Sequence, residues 1–194
     1  MKRALIALVA VLAVPALAQA QGTTTEIATG DNFFEPEDIA GDVGVESYHW
    51  QWATENPHNV VEAEGLFDSG KIETTGELTI TPSAGTFPYI CEIHGFLDSD
   101  GDPIGMGGTI TVRPTATPQG KRALVTWATE ATDTGNRYDV RRKIGSKKAK
   151  IVEEKTKAIE GAFKIKPGKK YKFQVRSRQG KATSEWSPKL KLKG

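Results

Sequence analysis

The chain of 194 residues has one cysteine, three histidines and two methionines, and one of each falls in the stretch Tyr89–Val112. Cys91, His94 and Met106 bring a thiolate, an imidazole and a thioether onto one loop between two strand-like runs. Such a soft donor set suits copper better than calcium or magnesium. A trigonal site with a weak axial sulfur needs a second imidazole, and His58 in Asn56-Pro57-His58-Asn59 supplies one from an earlier turn. The candidate metal ligands are therefore His58, Cys91, His94 and Met106, for one copper ion. Structural zinc sites favour several thiolates, and this chain has one.

Other constellations are weaker. Asp98, Asp100 and Asp102 approach the spacing of a calcium loop, but the glycine is displaced and no glutamate follows at the twelfth position. A solvated acidic turn is the better reading. His49 lies in Tyr48-His49-Trp50-Gln51-Trp52, where the aromatic residues alternate onto one face, so His49 is expected on the opposite, solvent side. No serine–histidine–acid or paired-carboxylate arrangement can be argued, so the chain does not read as an enzyme.

These residues must be held by short strands. Met1-Lys2-Arg3, an apolar run from Ala4 to Ala18 and the small-x-small triplet Ala18-Gln19-Ala20 have the layout of a cleaved signal peptide over 1–20. The protein is thus expected to be secreted, periplasmic or associated with the cell envelope. A lone cysteine in an exported chain cannot close an internal disulfide, which favours a ligand role. Residues 22–113 carry 17 acids against Lys71 and Arg113, a net charge of −15. Residues 114–194 carry 22 Lys and Arg against seven acids, a net charge of +15. So abrupt a switch marks two domains with separate surfaces. Short β-like runs separated by Gly, Pro, Asp and Asn fill both halves, and no sustained helical period precedes Arg113. The boundaries are expected at 22–113 and 121–194, with 114–120, rich in Pro and Thr, as an extended linker. Lys147–Lys157 is expected as a loop or edge strand.

The first half resembles the cupredoxins, the small blue-copper proteins of the plastocyanin, amicyanin and halocyanin type. The resemblance runs through Phe33-Phe34-Glu35-Pro36, Trp50, Pro57-His58-Asn59-Val60, Phe67-Asp68-Ser69-Gly70, Tyr89-x-Cys91-x-x-His94 and Met106-Gly107-Gly108-x-Ile110-x-Val112. It implies a Greek-key sandwich with one type 1 copper, His58, Cys91 and His94 in the trigonal plane, and Met106 as a long axial contact. It also implies that Asn59 ties the two ligand loops together, and that the protein passes single electrons to an unidentified redox partner. In the family the methionine usually follows the second histidine within a few residues. Here Gly95–Gly105 intervenes, and deleting Phe96–Ile104 would restore a Cys-x-x-His-Gly-Gly-Met order. The segment is expected to be a surface insertion.

The second half resembles a fibronectin type III module. Trp127 matches its core tryptophan, Ile165-x-Pro167-Gly168-x-x-Tyr171 its tyrosine corner, and Gly180-x-x-Thr183-Ser184-x-Trp186-Ser187 its last-strand region. The expected fold class is all-β, two tandem β-sandwiches. The basic half invites a nucleic-acid reading, but its aromatic residues are taken by the core, and no specific nucleic acid is expected. An anionic cell-wall polymer, a membrane surface or the acidic first domain are its candidate partners. The alternative to electron transfer is an exported copper-binding or copper-sequestering protein, or a cell-surface binding module without redox turnover.

Overall fold

Alternation of apolar and polar residues becomes strand pairing throughout the computed structural model, which describes residues 22–130 and 136–194. The expected signal peptide, 1–20, lies outside the described residues. The first sandwich is built from β1 (Thr23–Gly30), β2 (Phe33–Glu35), β3 (Asp38–Asp42), β4 (Glu46–His58), β5 (Val61–Glu62), β6 (Glu73–Ile80), β7 (Gly85–Leu97) and β8 (Pro103–Arg113). One sheet has the order β2-β1-β4-β6 and the other β3-β8-β7-β5. Each contains one parallel pair, β1 with β4 and β3 with β8.

The period-2 pattern of β4 sends Tyr48, Trp50 and Trp52 inward, as expected, while His49 pairs its Nδ1 with Glu26 Oε2 at 2.7 Å on the outer side. Trp50 meets Tyr89 edge-on at 5.2 Å, and Tyr89 in turn packs on Phe34 at 5.4 Å. Losing one such buried aromatic to alanine typically costs about 3–5 kcal/mol. This aromatic cluster forms the floor under β7, the strand that carries Cys91 and His94.

The second sandwich follows with β9 (Thr115–Gln119), β10 (Arg122–Thr126), β11 (Arg137–Ile144), β12 (Lys150–Thr156), β13 (Glu160–Lys164), β14 (Lys170–Gln179), β15 (Ala182–Thr183) and β16 (Leu190–Lys193). A three-stranded sheet, β13-β10-β9, faces a sheet of order β12-β11-β14, in which β15 and β16 pair with opposite ends of β14. Trp127, Tyr138, Phe173 and Val175 are buried between them. The backbone N–H of Lys166 donates to the Tyr171 hydroxyl at 2.9 Å, so the corner read from Ile165–Tyr171 is formed. The charged run at Lys147–Lys157 supplies the edge strand β12.

One boundary shifts. The segment 114–120, expected as a linker, is mostly β9, which pairs Thr115–Gln119 with β10 from Thr126 back to Arg122. Its Pro and Thr residues suited an extended chain, and an edge strand accepts proline where no ladder bond is needed. Only Pro114 separates the strands of the two sandwiches.

The sandwiches also touch through the turn before β7. Ala84 is fully buried among the core residues of the second sandwich, and its N–H donates to Trp127 O at 2.8 Å. Ser83 Oγ and Ser177 Oγ are 2.6 Å apart, and Thr86 and Glu185 exchange backbone hydrogen bonds of 3.3 and 3.1 Å. Among the described residues no ion pair crosses this contact, despite the opposite charges of the two halves.

Candidate metal centre

His58 ends β4, while Cys91 and His94 lie in β7 within an interruption of its pairing to β8. That pairing stops at Ile90 opposite Gly107 and resumes at Gly95 opposite Gly105. Four residues of β7, Cys91–His94, therefore stand opposite one residue of β8, and that residue is Met106. The irregularity is a large bulge of four residues against one, a device that redirects side chains next to sites.

The donor atoms converge. Cys91 Sγ is 3.8 Å from His58 Nδ1 and 3.6 Å from His94 Nδ1, and the two Nδ1 atoms are 3.0 Å apart. Metal–nitrogen and metal–sulfur bonds of about 2.0–2.3 Å in a trigonal plane would set donors roughly 3.5–3.8 Å apart. The thiol–imidazole separations fit that plane and the imidazole pair is slightly tight, so the residues present fit a metal ion. His58, Cys91 and Met106 are fully buried, and Met106 belongs to the same core cluster as Cys91. His94 alone is partly exposed. Among the described residues His58, Cys91 and His94 form the one such cluster, and His49 is not part of it.

Surrounding groups hold the donors in place. Asn59 Nδ2 donates to Glu92 Oε2 at 2.7 Å, and the Glu92 N–H donates to Asn59 Oδ1 at 3.0 Å. This reciprocal pair ties the His58 turn to the Cys91–His94 bulge, the role expected of Asn59. The Val60 N–H donates to Ser69 Oγ at 2.8 Å, and the Ser69 N–H returns to Val60 O at 2.9 Å. With Nδ1 directed at the donor cluster, His58 leaves Nε2 buried and without a hydrogen-bond partner, 4.0 Å from Asp31 Oδ1. Burial lowers the His58 pKa below the ordinary imidazole value, His94 lowers it further and Asp31 opposes them. The neutral ring that results is the form that binds metal.

The segment expected as an insertion, Gly95–Gly105, is an antiparallel hairpin. Phe96 pairs with Ile104 and Leu97 with Pro103 beyond a neck of Gly95 and Gly105. The turn is closed by the Asp98 N–H donating to Asp102 O at 3.0 Å, while Asp98 Oδ1 accepts from the N–H groups of Asp100 and Asp102. The Asp98 carboxylate thus serves the turn. The neck must be glycine. Gly105 has φ 79°, and a Cβ there would meet His94 O at 2.6 Å; one on Gly95 would meet Met106 O at 2.5 Å. Ile93, Phe96 and Ile104, all exposed, give the surface beside His94 an apolar character.

Spacing alone had not singled out Glu92, Asp31 or the Gly95–Gly105 neck. Glu92 occupies a spacer position of Cys-x-x-His, where sequence gives no sign of its hydrogen-bond partner. Asp31 comes close only through the β1–β2 turn.

No protein-family model matches the chain, and no curated protein matches it. Solved structures similar to it include a segment of two fibronectin type III domains from chicken tenascin. That match has 15% identity, covers 71% of this chain and 83% of that one, and has a TM-score of 0.35. The FN1–FN3 domains of chicken CNTN1 align at 13% identity over 78% of this chain and 63% of theirs, with a TM-score of 0.35. A cytokine receptor complex aligns at 15% identity over 79% and 93%, with a TM-score of 0.36. Likeness at this level carries no argument about function. The tandem all-β sandwiches rest on the strand pairing itself.

Proposed function

We propose that the chain is an exported type 1 copper protein that passes single electrons, with a cupredoxin-like first domain and a fibronectin type III-like second domain. The observation that carries this reading is the convergence of His58 Nδ1, His94 Nδ1 and Cys91 Sγ, two of the three residues fully buried, with Met106 opposite in the strand register. A copper ion bound there would supply a one-electron couple. The residues supply the rest. Cys91 gives the thiolate, His58 and His94 give neutral imidazoles, and Met106 offers a weak thioether from β8. The hydrogen bonds between Asn59 and Glu92 hold the two ligand loops at fixed spacing, so that little need move when charge changes. His94 is the donor nearest solvent, and the apolar surface of Ile93, Phe96 and Ile104 beside it suits contact with a redox partner protein.

Copper sequestration is the competing reading, and turnover separates the two. Voltammetry of the copper-loaded chain is expected to give a reversible one-electron wave with closely spaced anodic and cathodic peaks. Tight, stoichiometric copper binding without a reversible wave would favour sequestration.

A further inference from the structure

Strand register in the second sandwich places lysines in rows. Lys143 of β11, Lys172 of β14 and Lys191 of β16 are direct cross-strand partners, and Lys170 pairs with Lys193 two residues along. On β14 the intervening Tyr171, Phe173 and Val175 are buried, so Lys170 and Lys172 stand on the outer face. Strands lie about 4.8 Å apart and every second residue recurs after about 6.6–6.8 Å, which fixes the grid of the ammonium stems. Like charges directly opposite one another destabilise a sheet. Among the described residues no lysine takes part in an ion pair. The other end of the same face differs, because Arg176 and Arg178 both grip the buried Asp139 at 2.8 Å.

We infer that this lysine grid on the outer face of β11-β14-β16 is a docking surface for a linear anionic polysaccharide. Regular rows of unpaired cations complement a chain bearing a negative group on each sugar. The inference is independent of the metal site and survives or fails apart from it. Other occupants fit less well. An anionic bilayer attracts basic patches, but stable anchoring takes an apolar element as well, and Ile151 on the edge strand is the one exposed large hydrophobic residue of this sandwich among the described residues. Single-stranded nucleic acid is bound largely by base stacking on aromatic platforms. Here Tyr171 and Phe173 face the core, and Trp186 is covered by Arg141 and Arg176 at 4.2 and 4.7 Å. A second copy would have to present matching acids, but no strand pairing among the described residues of the first sandwich sets two carboxylates opposite one another.

The test uses the whole chain and sodium polygalacturonate as the probe, with uncharged dextran as the control polymer. Three proteins are compared: wild type, Lys143→Gln/Lys172→Gln/Lys191→Gln, and Lys121→Gln/Lys157→Gln/Lys164→Gln, which removes the same charge away from the grid. Wild type is expected to bind polygalacturonate and not dextran, and to weaken steeply as salt rises. The grid variant should lose about tenfold or more in affinity and lower the log–log salt slope by about 2, roughly 0.7 per lysine for a single-stranded polyanion. The second variant should change affinity less than about threefold. The grid variant should also melt no lower than wild type, since relieving opposed like charges does not weaken the sheet; if it fails to fold, Lys172→Gln alone carries the comparison. Equal losses in both variants would reduce the effect to net charge and overturn the inference, as would absence of binding at 50 mM salt. Tighter binding to phosphatidylglycerol vesicles or to oligo-dT would reassign the face to a membrane or to nucleic acid. Salt-sensitive self-association in sedimentation would reassign it to a second copy.

Discussion

Replacing Met106 by leucine removes one sulfur and leaves the His58, Cys91 and His94 donors untouched. If the thioether is a weak axial donor, Met106→Leu keeps the blue colour of the copper-loaded protein and raises its reduction potential, measured by voltammetry. An unchanged potential would show that the sulfur does not reach the metal. Asp139 is the corresponding single residue of the second sandwich. Burial opposes its ionisation, but the Lys155 N–H and the guanidinium groups of Arg178 and Arg176 outweigh it and hold the carboxyl below its usual value. A depressed folded-state pKa contributes stability above the unfolded value of about 3.9 that is lost as pH falls below it. Asp139→Asn leaves two partly exposed guanidinium groups side by side and is expected to cost about 2–3 kcal/mol in denaturant unfolding at neutral pH. The gap from wild type should close on acidification towards pH 2. At this scale the sequence pointed to the side chains that the structure gathers, His58, Cys91 and His94, because Cys and His are few and their chemistry is narrow. Glu92 and Asp31 escaped it, since a common acidic residue shows its role only through the partner that folding brings to it.

Among the elements, the hairpin from Gly95 to Gly105 explains how eleven residues can lie between His94 and Met106 while Met106 stays opposite Cys91–His94. Gly95 and Gly105 are cross-strand partners, and Cα atoms so paired lie about 4.5–5.5 Å apart, close to the 3.8 Å of a direct peptide link. Deleting Phe96–Ile104 should therefore join the neck with a small shift and leave copper binding and colour intact. Loss of copper binding in a variant that still folds would show that the hairpin helps to build the centre. The sequence marked this segment by its length, and its Asp-rich turn was legible as a turn. Strand boundaries were less legible. Thr115–Gln119 read as a linker because Pro and Thr suit any extended chain, and only pairing with Arg122–Thr126 distinguishes an edge strand from a tether.

Across the whole molecule, the change of net charge from −15 to +15 falls close to where β8 ends and β9 begins, but it does not reveal what joins the halves. Attraction between the two charged surfaces was one expectation. The contact in the structure instead rests on Ala84 in the second core, on serine hydroxyls and on backbone hydrogen bonds. Such groups are uncharged and common, so composition carries no trace of them. Leaving the charges out of the joint keeps both charged surfaces free for other partners, and it keeps the donor cluster and the lysine grid as separate sites on one body. Whether this body holds copper through Cys91 is tested most directly by the visible spectrum of the full chain loaded with Cu(II). Wild type is expected to turn intensely blue from thiolate-to-copper charge transfer at one ion per chain, and Cys91→Ser is expected to be colourless. A colourless wild type with copper verified in place would contradict the account.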